Sequence, residues 1–147
     1  ASVTARRIHV RRVAIAAGVY ALFVLAIGLY PTPVDRPIDG TLSRVLQFLH
    51  RHGVPRVFDY AFVEFTANIA FFVPVGVFAA LLLLPRRWWL AGVIGFAVSV
   101  GIETAQATLL PGRFASAQDV LANTTGAFLG ATLVFLWRRY AGRSVSK

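Results

Sequence analysis

Between Ser99 and Gly130 the chain reads SVGIETAQATLLPGRFASAQDVLANTTGAFLG, which places carboxylates, carboxamides and a guanidinium inside or beside long apolar runs. Glu103 and Gln106 lie on one run, Arg113 on the turn after it, Asp119 and Asn123 on the next run, and Asn68 on an earlier one. Ionisable groups in a bilayer cost several kcal/mol, so residues of these types near the ends of membrane helices are candidates for a functional site. Ser99, Glu103 and Gln106 are spaced i, i+4, i+7 and share one helical face. Asp119, Asn123, Gly126 and Gly130 are spaced i, i+4, i+7, i+11 and share another. Arg113 suits a phosphate or carboxylate, and Asn68, Gln106 and Asn123 suit sugar or amide groups. Glu103 and Asp119 are the candidate catalytic pair, two carboxylates able to share a proton and act as acid and base.

Each residue also has a purely structural reading. Ser116-Ala117-Gln118-Asp119 opens like a capping box, so Asp119 fits a first-turn acid that satisfies free N–H groups. A carboxylate at the depth of Glu103 needs a partner, and Arg113 is the only cation between the two runs, so an ion pair closing the hairpin is expected. Asn68 and Asn123 fit interhelical hydrogen bonding, and Gly126-x-x-x-Gly130 fits close helix packing beneath Asn123.

The elements that position these residues are membrane helices. Of the 147 residues 57% are hydrophobic, and the mean hydropathy of +0.67 exceeds what a soluble domain carries. Spans are expected at 13–30, 60–84, 90–110 and 119–137, with Pro31 and Pro33 ending the first and Pro111-Gly112 making the last turn. A basic segment before an apolar run, with Ala26-Ile27-Gly28 beyond, also describes a signal peptide. The run from Val13 is long enough to span and is taken as the first helix. In the loop 40–52, Leu42, Val45, Leu46 and Leu49 recur at helical spacing, with Asp39 and Gly53 as caps. This describes a short amphipathic helix on the outer membrane surface. The expected fold is therefore an all-α integral membrane protein, one domain over 1–147, with four transmembrane helices and one interfacial helix.

The formal charge of +9 does not indicate nucleic acid, because the basic residues flank apolar runs instead of forming a soluble basic face. With both termini cytoplasmic, Arg6, Arg7, Arg11, Arg12, Arg86, Arg87, Arg138, Arg139, Arg143 and Lys147 lie inside. Arg36, Arg44, Arg51, Arg56 and Arg113 lie outside, in accord with the positive-inside rule. There is no cysteine, and His50 and His52 at i, i+2 do not share a helix face, so no metal site and no cofactor are assigned. By helical rise, Glu103 lies roughly 10 Å and Gln106 and Asn123 roughly 6 Å below the outer ends of their spans, with Asn68 roughly 12 Å down. All converge in the outer half.

At these residues the chain resembles the VanZ-like family, membrane proteins named for an accessory determinant of teicoplanin resistance. The resemblance runs from about Asn68 to Gly130. It comprises N-x-x-x-F-x-P-x-G over Asn68–Gly76, E-x-x-Q at Glu103 and Gln106, the turn arginine Arg113, D-x-x-x-N at Asp119 and Asn123, and Gly126 and Gly130. Where the family often carries an acid between the arginine and the aspartate, this chain has Phe114-Ala115-Ser116-Ala117-Gln118. The resemblance implies a small bacterial plasma-membrane protein of the cell envelope, associated with lowered antibiotic sensitivity.

Three readings of function follow. In the first, an outward-facing polar pocket of Asn68, Glu103, Gln106, Arg113, Asp119 and Asn123 binds membrane lipid, a lipid-linked cell-wall precursor or another membrane protein subunit. In the second, Glu103 and Asp119 make it an intramembrane enzyme acting on an envelope lipid. The third is a transporter or flippase component, which the apolar inner halves of the spans disfavour.

Overall fold

The computed structural model describes residues 3–30, 39–110 and 115–144. They form five α-helices: α1 (Val3–Gly28), α2 (Asp39–Arg51), α3 (Tyr60–Leu82), α4 (Leu90–Leu109) and α5 (Ala117–Ser144), with a single 3-10 turn at Pro85–Arg87 before α4. Four helices carry segments long and apolar enough to cross a membrane: Arg7–Gly28, Tyr60–Leu82, Leu90–Leu109 and Ala117–Ala141. The protein is an all-α integral membrane protein with the expected short helix between the first two spans.

Two helices overrun their expected limits. α1 starts at Val3 instead of Val13, and α5 continues through Arg138 and Arg139 to Ser144. Arginine, alanine and tyrosine tolerate helical backbone, and nothing in either segment breaks it. Arginine stems can lift their charges to the interface without ending the helix.

α5 is the packing centre, lying most extensively against α3 and next against α4, while α1 leans mainly on α3. Between membrane helices there is no hydrophobic drive, so close van der Waals approach must supply the attraction. Small residues permit it. A Cβ on Gly126 would meet the carbonyl of Ile69, one on Gly130 the carbonyl of Val73, and one on Gly76 the carbonyl of Ala127. The Gly126/Gly130 pair therefore serves the α3 contact. On the other side of α5, Gly92 of α4 receives the Phe128 ring and Gly95 receives Ala127. Ala80, Ala91, Ala131 and Val134 fill one end of the core, and Val24, Phe72 and Ile102 join α1 to α3 and α4.

Backbone groups freed by breaks in the helices find side-chain partners, as a bilayer requires. Pro74 lies inside α3 and has no N–H for the carbonyl of Ala70. At the next carbonyl, Phe71, the Tyr20 hydroxyl of α1 donates at 2.8 Å. The Arg138 guanidinium donates to the carbonyls of Leu81 at 3.1 Å and Leu83 at 3.4 Å, capping the end of α3. Asp59 accepts from the Phe62 N–H at 2.9 Å to start α3.

α2 stops in a left-handed turn. Gly53 has φ +93°, its N–H reaches the His50 carbonyl at 3.3 Å, and the Val54 N–H reaches the Leu49 carbonyl at 3.1 Å. That pairing is the Schellman arrangement, so the expected glycine stop at Gly53 is present. Asp39 begins the helix, and its side chain lies outside the described residues. The two histidines face backbone, His50 Nε2 toward the Phe58 carbonyl at 3.2 Å and His52 Nδ1 toward the Phe48 carbonyl at 2.7 Å.

The glycine contacts give the first expected outcome. Gly130→Ala should destabilise the protein by about 1–3 kcal/mol, because the new methyl meets backbone that cannot rotate away. Gly101→Ala should not, because a Cβ there meets nothing within 4 Å. Thermal unfolding of both variants in one detergent decides it, and equal melting would disprove the backbone-contact account.

Candidate functional site at the polar end of the bundle

α5 begins where α4 ends, and its first turn presents backbone N–H groups that have no helical acceptor. Ser116 caps it: its Oγ accepts from the Asp119 N–H at 3.1 Å. In an ordinary capping box, the acceptor for the N–H of the cap residue comes from the side chain three residues on, here Asp119. In this protein Glu103 of α4 supplies an acceptor instead, taking the Ser116 N–H on Oε2 at 2.6 Å. The positive end of the α5 dipole favours a carboxylate in that place. The Asp119 carboxylate reaches across to α3 and accepts from Asn68 Nδ2 at 2.9 Å.

One turn deeper, Asn123 donates through Nδ2 to the Ser99 Oγ at 2.9 Å, joining α5 to α4. Among the described residues Ser99, Glu103, Gln106 and Asn123 are the buried polar side chains, with exposures of 0%, 6%, 7% and 7%. The Asn123 Oδ1 is buried with no partner among the described residues. Turning the amide over would pair Oδ1 with the Ser99 hydroxyl and leave the NH2 over instead, so in either orientation one polar end of Asn123 is unmet.

Asn68, Glu103, Asp119 and Asn123 thus gather around the first two turns of α5. Gln106 shares their depth but turns the other way. Its Nε2 donates to the Gly28 carbonyl at 2.6 Å, satisfying a terminal carbonyl of α1. Gly126 and Gly130 lie below the cluster, against α3. Arg113 lies outside the described residues, and so does its expected ion pair with Glu103. Asp119 does stand in the first turn of α5, and it is also a cross-helix acceptor, which its capping-box spacing did not imply.

Three further residues contribute to the bundle's polar contacts. Ser99 shares the polar stripe of α4, and its buried hydroxyl meets Asn123. The capping-box spacing marks Ser116 as a cap, but nothing in the sequence links its N–H to Glu103. Tyr20 is a phenol in an apolar run, and in lipid that hydroxyl has to find an acceptor. Gln106 and Tyr20 together fasten α1 to the bundle.

The cap across helices yields a second expected outcome. Glu103→Gln keeps a carbonyl oxygen for the Ser116 N–H, whereas Glu103→Ala leaves that donor and its surroundings unpaired. The alanine variant should therefore be less stable than the glutamine variant by about 1–3 kcal/mol in thermal unfolding. Equal stability would mean that the cap does not hold the hairpin.

This arrangement can be set beside known proteins. No curated protein and no solved structure matches the chain. A family model described as VanZ/LLP1 matches residues 17–138, from within α1 to the arginines near the end of α5. That match takes in α2 and the second half of the membrane-spanning part of α1, well beyond the Asn68–Gly130 stretch that carries the motifs, and by it the chain belongs to the VanZ/LLP1 family.

Proposed function

We propose that the polar end of the bundle binds the head group of a lipid-linked envelope component, in a bacterial plasma membrane, with both termini cytoplasmic and the polar end facing outward. The observation that carries this reading is Asn123. An amide more than nine-tenths buried, with one end unmet, lies in a cluster where the neighbouring polar groups are paired. A buried polar atom without a partner costs about 1–3 kcal/mol, and a donor or acceptor on a bound molecule recovers it. The surroundings suit a sugar or amide head group. Asn68 and Asp119 supply carboxamide and carboxylate at the same level, and Arg113, which follows Pro111-Gly112 directly in the sequence, is of the type that pairs with phosphate. The resistance phenotype that names the family is an envelope phenotype, which agrees with a ligand in that layer. Orientation rests on the arginines: Arg86, Arg87, Arg138 and Arg139 all flank the opposite end of the spans.

Asn123→Leu separates function from fold. It replaces an incompletely paired amide by an apolar side chain of the same branching, so the variant should fold and lose no more than about 1–3 kcal/mol in thermal unfolding, because the partner taken from the Ser99 hydroxyl is set against removal of the unmet group. Binding of a polyprenyl-pyrophosphate-linked cell-wall precursor, read by native mass spectrometry of the purified protein, should fall at least tenfold. Retained binding in a stable Asn123→Leu variant would rule the site out.

Orientation has its own check. In intact cells a cysteine introduced at Gly53 should react with an impermeant maleimide, and one at Arg87 should react only after the membrane is opened. The reverse pattern would invert the topology.

A further inference from the structure

α2 divides its surface three ways. Leu42, Leu46 and His50 are half-buried toward the bundle, and Gln47 and Arg51 are exposed on a polar arc. Val45, Phe48 and Leu49 form an apolar arc with 48%, 59% and 37% exposure. An apolar arc left uncovered beside a cationic one is the form of a helix lying at a lipid–water boundary. Phe58 and Phe62 extend the apolar border at the start of α3, packed edge to face at 5.0 Å.

Between the polar arc and the start of α3 lies a groove of about 470 Å³ lined by Gln47, His50, Arg51, Arg56 and Asp59. That volume is in the range of small-ligand sites. Two of its groups are committed: His50 Nε2 faces the Phe58 carbonyl, and Asp59 caps α3 through Oδ1. The two arginines are not. Arg44 spends its guanidinium on the Gly40 carbonyl and Arg138 on the carbonyls closing α3. Arg51 and Arg56 have no hydrogen-bond or ion-pair partner among the described residues, although both line one groove. Two free guanidiniums and a carboxamide in a concave site suit phosphate oxygens, and the Asp59 carboxylate lowers the positive charge without cancelling it.

We propose that this groove binds the phosphate of an anionic phospholipid in the leaflet on which α2 lies. Arg51 and Arg56 hold the phosphate oxygens, Gln47 bonds the head-group hydroxyls, and the acyl chains run along the exposed rings of Phe58 and Phe62 that border the groove. The apolar border makes a lipid the occupant instead of free phosphate. The site uses none of the residues of the α3–α4–α5 cluster, so it stands or falls separately from the binding proposed there.

The test uses the purified full chain with equal amounts of phosphatidylglycerol and phosphatidylcholine of matched chains, with bound lipid read by native mass spectrometry. Phosphatidylglycerol should be retained preferentially, by roughly fivefold for each arginine engaged. Arg51→Gln and Arg56→Gln should each lose about fivefold, and the double variant should show no preference. Arg86→Gln/Arg87→Gln, at the other end of the bundle, should keep the preference. The single variants carry the test if the double one does not fold. Undiminished preference in the singles, or its loss in Arg86→Gln/Arg87→Gln alone, overturns the assignment. So does displacement of the lipid by millimolar inorganic phosphate, which would make the groove a site for the free anion.

Discussion

The contact between α3 and α5 is the constraint from which the rest of the bundle follows. Gly76, Gly126 and Gly130 let the two backbones touch, and any Cβ at those positions would overlap a carbonyl of the facing helix. Contact that close fixes the rotation of each helix about its axis, since only one face of each is bare enough to allow it. Once α3 and α5 are locked in this way, Asn68 stands opposite Asp119, and the other face of α5 brings Asn123 to Ser99. The geometry of the polar end is thus set by residues that carry no polar side chain.

Lipid supplies the second constraint, because it offers no hydrogen bonds to groups left over by the chain. The bundle answers locally at each break. Tyr20 bonds a carbonyl beside the Pro74 gap, Arg138 bonds the end of α3, Gln106 bonds the end of α1, and Glu103 bonds the start of α5. One of these side chains, Glu103, also borders the proposed ligand site. Glu103 therefore holds the α4–α5 hairpin while standing at the edge of the site, and a change in its hydrogen bonding would be felt by both. Asn123 is where this economy is incomplete, which is why it marks the site more clearly than the carboxylates do.

How much of this was legible in the sequence depended on what repeats along a helix. Span number and placement could be read because runs of apolar residues must match bilayer thickness, and the polar stripes could be read because residues three and four apart share a face. Helix limits were less legible at α1 and α5, where arginines continue the helix instead of ending it. What periodicity does not give is the direction in which a stripe points. Spacing puts Gln106 with Glu103 on one face of α4, yet Gln106 bonds α1, and spacing marks Gly126 and Gly130 for close packing without saying that the partner is α3. Glu103 needed a partner, and the nearest cation in sequence was Arg113, which lies outside the described residues. The bond that is described, to the Ser116 N–H, is one no side-chain inventory would suggest, because its donor is backbone.

The way α1 is attached has a consequence for assembly. It is the least buried of the four spans, and among the described residues its polar attachments are the Tyr20 hydroxyl on the Phe71 carbonyl and the Gly28 carbonyl under Gln106. Both partners belong to helices that follow it along the chain, and Gln106 sits near the end of the third span. During synthesis α1 enters the membrane before the surfaces that receive it exist. Its docking therefore waits for later segments: until α3 is in place the first helix must survive in lipid as an independent span, and the Gln106 bond closes only once α4 has followed.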